Sequence, residues 1–274
     1  MTLRLIRRVE EENRIVPKDG SGFNMRMHES FPLFLLLTVT FLVSGLVKGV
    51  SGMGLATVAM GLLGAAMPPA TAAAILVIPS FVTNVWQLGS GPATARLLRR
   101  LWPMMLGVVA GTLGGATLLV RVDPLWSGLA LGSALILYAT YALISPSLSV
   151  PERIEPWLSP PIGLMTGAIT GATGVFVMPA VPYLQSLRLD KDELVQALGI
   201  SFTVSTIALA AGLMAHDAFR LDQWGWSTLA IIPALAGMWL GQKVRARISP
   251  RRFRQGFLLF LLLLGLELAS RPFR

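Results

Sequence analysis

From Phe31 onward the chain alternates long apolar runs with short polar punctuation. A membrane-crossing helix needs about 20 mostly apolar residues. Runs of that kind predict helices near 31–47, 53–67, 70–90, 101–120, 124–145, 157–174, 175–186, 193–215, 223–241 and 253–269. Two neighbouring pairs are short or interrupted. The pair 31–47/53–67 parts around Gly49, Ser51, Gly52 and Gly54, and the pair 157–174/175–186 parts around Gly171, Thr173, Gly174 and Pro179. Eight clear spans is one count. Broken helices or re-entrant hairpins at the two glycine-rich places fit the pattern equally well.

Those two places resemble each other. Ser44-Gly45-Leu46-Val47-Lys48-Gly49-Val50-Ser51-Gly52 and Thr166-Gly167-Ala168-Ile169-Thr170-Gly171-Ala172-Thr173-Gly174 share the pattern [ST]-G-x-x-[KT]-G-x-[ST]-G at an offset of 122 residues. The same offset lays 70–90 over 193–215, 101–120 over 223–241 and 124–145 over 253–269. Two halves that each open on a broken glycine-rich segment are the arrangement of many secondary transporters. The plainer reading of Gly45/Gly49 and Gly167/Gly171 is close helix packing. The matching hydroxyls and the third glycine favour more than packing. An unwound segment must be buried in protein or face a water-filled cavity. The N–H groups freed at a half-helix N-terminus then attract an anion.

Composition narrows the class further. Of 274 residues, 54% are hydrophobic and 14% charged, where a soluble domain carries about 25% charged residues. With 27 glycines and 18 prolines, both commoner in membrane helices than in soluble ones, this excludes a soluble globular enzyme, a disordered chain and a coiled coil. A net charge of +9 does not indicate nucleic acid, because no basic face with interleaved aromatics occurs. The absence of cysteine removes disulfide and thiolate chemistry, and His28 and His216 are too far apart in sequence to suggest a metal site.

Charge also orients the chain. Residues 1–30 form a polar tail with six basic and five acidic residues. It has no apolar stretch of signal-peptide type before Phe31. It is expected to be a disordered extension, or to reflect a start at Met25 or Met27; a lipid-contacting tail is the alternative. Beyond it, an odd number of crossings per half with the N-terminus outside places twelve basic residues inside: Arg96, Arg99, Arg100, Arg153, Arg188, Lys191, Lys243, Arg245, Arg247, Arg251, Arg252 and Arg254. Arg121, Arg220, Arg271 and Arg274 stay outside. Positive residues favour the cytoplasm, so the halves, 31–147 and 148–274, are read as inverted repeats. The basic residues of the tail argue the other way.

Polar residues inside spans are costly and mark function. Lys48 is the one basic residue in either motif; Thr170 replaces it in the other half. It reads either as an attractor for an anion or as a side chain snorkelling to the interface. Asn84 and Gln87, around Trp86, carry amide donors suited to an oxyanion; interhelical hydrogen bonding is the alternative. Ser201, Thr203, Ser205 and Thr206 occupy the matching span, where hydroxyls often bond back to their own helix. Gln185 reads as a ligand or an interface cap. Glu267, the one carboxylate well inside an apolar run, reads as a proton relay or, in the preferred reading, as a group near the end of the last helix that reaches water. Catalytic triads, paired carboxylates, metal-spaced ligands and a Walker A sequence are missing from the spans, so neither an enzyme nor ATP drive by this chain is expected.

Taken together and in order, these motifs resemble the TauE/SafE family of sulfite-exporter-like permeases. The first half carries Gly45-x-x-x-Gly49-x-Ser51-Gly52-x-Gly54, Pro68-Pro69, and Pro79-Ser80 through Asn84-Val85-Trp86-Gln87. The second carries Thr166-Gly167 through Phe176, Pro179-Ala180-Val181-Pro182-Tyr183-Leu184-Gln185, and Gly199-Ile200-Ser201-Phe202. The chain departs from the family's glycine-triplet form at Gly52-Met53-Gly54-Leu55. The resemblance implies a multi-pass inner-membrane transporter of small sulfur-containing anions, with inverted repeats meeting at a central site.

The reading is therefore an all-α polytopic helical bundle of about eight spans, built from two inverted repeats. It would move a small anion, sulfite or an organosulfonate, by alternating access. The binding residues expected are Lys48, Gly49, Ser51, Gly52, Asn84, Gln87, Thr170, Gly171, Thr173, Gly174, Ser201 and Thr203. Three acceptor oxygens on such an anion suit a cage of neutral donors. The partners are the anion and the lipid bilayer, with no nucleic acid, no metal and no cofactor; the coupling ion and oligomeric state are not legible. An anion channel and a non-transporting assembly subunit are the rival readings. A channel would need polar residues strung along a pore, and here they cluster.

Overall fold

The computed structural model describes residues 21–89, 91–144, 149–219, 221–245 and 250–273. Every regular element among them is helical. In order they are α1 (Ser21–Ser51), α2 (Leu55–Ala66), α3 (Pro69–Leu88), α4 (Thr94–Arg121), α5 (Pro124–Ile144), α6 (Glu155–Thr173), α7 (Ala180–Ser186), α8 (Lys191–Ala215), α9 (Leu221–Leu229), α10 (Ile231–Arg245) and α11 (Pro250–Ser270), closed by a 3₁₀ turn (Arg271–Phe273). Up to Val39 the described chain is helix alone; from Thr40 to Arg274 it forms one compact unit. Of the expected tail, residues 1–20 lie outside the described residues.

Among the described residues, six helical stretches are long and apolar enough to cross a membrane: Phe31–Ser51, Pro69–Leu88, Thr94–Arg121, Pro124–Ile144, Lys191–Ala215 and Phe253–Phe273. The chain is a polytopic all-α membrane bundle. The other candidate segments fall short. At about 1.5 Å per residue, the 12-residue α2 reaches some 18 Å, against a hydrocarbon core of about 30 Å. The 223–241 segment is divided into α9 and α10.

Glycine decides where two of these helices stop. Gly52 (φ 77°) follows α1 and Gly174 (φ 72°) follows α6, and a left-handed residue there is sterically cheap only without a Cβ. Each closes its helix with the same bond: Gly52 N–H donates to Lys48 O at 2.7 Å, and Gly174 N–H donates to Thr170 O at 2.7 Å. Ser51 and Thr173 repeat each other as well. Each hydroxyl donates to the carbonyl four residues back, at 2.8 and 2.7 Å, and accepts the N–H two residues on.

Glycines of the other kind let backbones touch. A Cβ on Gly45 or Gly49 would collide with the backbone of α10 at Ala234 and Met238, and one on Gly167 or Gly171 with the backbone of α4 at Val108 and Thr112. α3 packs against α8 and α5 against α11. At one end, Arg100 on α4 grips Glu155 on α6 in a fork, Nε at 2.7 Å and Nη2 at 2.6 Å.

Candidate functional site

Lys48 sits one turn before the end of α1, and its side chain does not snorkel. It is 4% exposed. Its Nζ donates to Thr83 Oγ1 at 3.1 Å and to Asn84 Oδ1, both on α3. Lys48 makes no ion pair among the described residues. Asn84 is equally buried, and its amide passes the contact on by donating to Thr206 Oγ1 on α8 at 3.1 Å. Asn84 and Thr206 are 122 residues apart, the offset of the two motifs. A chain of polar contacts thus crosses from α1 through α3 to α8.

These groups border a small, partly enclosed space. Lys48 and Asn84 form one side; Gly54, Leu55, Ala56 and Thr57, the start of α2, form another; Phe176 and Phe202, whose ring centroids are 5.1 Å apart, wall it off. At about 10 Å³ it has room for the centre of one water-sized sphere, too little for sulfite without movement. The first N–H groups of a helix have no intrahelical acceptor, and Gly54 as N-cap supplies no side chain to take them. Thr57 is fully buried and its Oγ1 has no hydrogen-bond partner among the described residues. A buried lysine Nζ, the positive end of a helix dipole and a spare hydroxyl donor therefore border one space, with no carboxylate paired to the lysine. Chemically that arrangement favours an oxyanion.

The other expected residues divide. Gln87 Nε2 donates to Gly52 O at 2.9 Å and Val195 O at 3.0 Å, which ties the glycine turn to α8. Gly49 and Gly171 face neighbouring backbones. Thr170 donates to Thr166 O and Thr203 to Gly199 O, both at 2.7 Å within their own helices. Ser201 is buried with its hydroxyl unpartnered among the described residues. Gly174 turns against Met60. Thr170, Gly171, Thr173, Gly174, Ser201 and Thr203 do not line the Lys48 space. Thr57 and Thr83 were missed: a threonine in an apolar helix looks alike in sequence whether it is paired or not. Glu267 pairs with Arg271 at 3.6 Å at the end of the last helix, and His216 faces Thr117 at 3.2 Å.

A second, larger cavity of about 280 Å³ lies next to the first. Met53 lines both, and the Tyr138 hydroxyl donates to its sulfur at 3.5 Å. Ser51 opens onto this larger space, along with Gln185, Tyr141, Arg245 and Arg254.

The family model described as Sulfite exporter TauE/SafE matches residues 36–268 of this chain. No curated protein and no solved structure matches it.

Proposed function

The chain belongs to the sulfite exporter TauE/SafE family, and from that premise we propose that it is a secondary transporter moving sulfite or an organosulfonate by alternating access. It is a multi-pass membrane protein of a permease family, not an enzyme. The observation that carries the substrate reading is the buried, carboxylate-free Lys48 facing the N-terminus of α2. An uncompensated buried cation costs several kcal/mol, and an anion held between it and the helix end would remove that cost. In this reading Lys48, Asn84, Thr57 and the α2 backbone bind the anion. Gly52, Ser51 and Gln87 shape the turn, and Gly174 and Thr173 do so in the other half.

Two inverted repeats, 31–147 and 148–274, are the scaffold we propose, with α2 and α7 as the half-helices that follow the glycine breaks. Four features support it. The turns at Gly52 and Gly174 have the same bond and the same hand. Asn84 meets its own counterpart, Thr206. α1 packs on α10 as α6 packs on α4, glycine to backbone in both. Finally, α3–α8 and α5–α11, counterparts at the same offset, are packed pairs. Counterparts that touch each other are what a two-fold axis through the bundle would produce.

The test is uptake of labelled sulfite and a panel of sulfonates into proteoliposomes of the purified chain. Saturable uptake with counterflow is expected. Lys48→Gln should reduce uptake at least tenfold, since hydrogen bonds to charged groups contribute about 1.5–3 kcal/mol. Non-saturating flux would favour a channel. No flux of any panel anion from folded protein would overturn the reading.

A further inference from the structure

We propose that the 280 Å³ cavity is a second anion site, a vestibule in which an organosulfonate is held before it reaches the Lys48 space; this rests on the transporter reading above. The cavity has two kinds of wall. Arg245, Arg254, Gln185 and Tyr141 present cationic and neutral donors, while Phe253 and Phe257 present apolar rings. A bare inorganic anion would use only the first wall. A sulfonate carrying a short organic body uses both, so that is the ligand class. Arg245 makes no hydrogen bond or ion pair among the described residues. Arg254 donates Nη2 to Ala142 O at 2.7 Å, and its guanidinium has five N–H donors in all.

Met53 lines both spaces, and Tyr138 holds its sulfur; the proposed route takes the two spaces in series past this side chain. A thioether is a weak acceptor on a flexible stem, so this contact yields more readily than a salt bridge would. The route also has a sign. At the offset of 122, the counterparts of Arg245 and Arg254 are Asp123 and Gly132. An equivalent vestibule on the opposite face would therefore lack cations. The arginine side thus carries the cations that have no carboxylate partner among the described residues, whereas Arg271, which lines a cavity at the other end of α11, is paired with Glu267 and with Ala65 O.

The chain's lack of cysteine allows a direct test. Ala142 lines the cavity, so Ala142→Cys places one thiol there. It is reacted in proteoliposomes with methanethiosulfonates carrying either a sulfonate or a trimethylammonium tail. With each rate taken relative to that reagent's rate on a free thiol in solution, the sulfonate reagent is expected to be favoured about tenfold, a preference worth roughly 1.4 kcal/mol. Arg245→Gln should bring the ratio close to one, and Arg245→Lys should keep it. Free sulfoacetate should protect the thiol in vesicles of purely zwitterionic lipid. Equal relative rates for the two reagents, a ratio indifferent to Arg245→Gln, or protection only by anionic lipid would each overturn the vestibule. The last outcome would make the cavity a lipid headgroup site. Flux by the unmodified chain reads the transport proposal separately: flux with no charge preference leaves transport standing and removes the vestibule, and protection without flux does the reverse.

Discussion

A lysine inside an apolar run is conspicuous in sequence, but its neighbours decide what it does. Lys48 has a hydroxyl and an amide oxygen for partners. Both are neutral, so no opposite charge accompanies its Nζ. Thr57 is the complementary case, a buried hydroxyl with no partner among the described residues. In a purely structural role that hydroxyl is a defect, because a buried polar group left unpaired costs about 1–3 kcal/mol. Thr57→Val keeps the shape and removes the group. We expect the purified variant to melt at or above the temperature of the parent in detergent, while sulfite affinity, read by ligand-induced thermal shift, falls about tenfold. A variant that is stabilised and binds sulfite unchanged would show that Thr57 is only a packing defect.

At the scale of elements, glycine does two jobs that one sequence pattern merges. Gly45, Gly49, Gly167 and Gly171 let helix backbones touch, whereas Gly52 and Gly174 turn the chain through positive φ. Gly45→Ala and Gly167→Ala should each destabilise by about 1–3 kcal/mol, as overpacking does, because carbonyls of α10 and α4 stand where the methyl must go. Gly114→Ala, on the same α4 but with nothing within 4 Å of the added carbon, should stabilise by about 0.5–1 kcal/mol through helix propensity. Thermal melts of the three variants in one detergent check both signs. The sequence made the existence and rough limits of the long helices legible, because about 20 apolar residues are a strong signal. It also marked Lys48, Asn84 and the two turns. Partner choice was not legible: a small-residue face specifies close approach, not the helix that approaches, so the pairing of α1 with α10 emerges only in three dimensions. The threonines next to Lys48 stayed hidden for the same reason, since α2 and α3 had to be docked before Thr57 and Thr83 acquired their roles.

For the molecule as a whole, the two-repeat reading turns one cavity into a statement about motion. Residues lining the arginine-side cavity have counterparts 122 positions away. Phe253 corresponds to Leu131, Phe257 to Leu135, Pro182 to Met60 and Gln185 to Leu63. These four counterparts are fully buried. Around them the glycines of α2 meet leucines: Leu131 and Leu135 from α5, and Leu264 from α11. One set surrounds space, and the other is a packed apolar seal. If the repeats exchange conformations during transport, the seal must open as the cavity closes. Leu135→Cys, in a chain with no other thiol, is then a reporter. With sulfoacetate absent, a membrane-impermeant thiol reagent added on the face away from the arginines should leave it unmodified. With sulfoacetate supplied on the arginine side, modification should accelerate several-fold, because turnover populates the state in which α2 and α5 have parted. Ala142→Cys should change in the opposite sense, slowing from the arginine side. Acceleration at both positions together would mean a pore open at both ends. Acceleration at neither, during measured flux, would mean that the anion crosses without the seal opening, and the exchange of repeats would have to be abandoned.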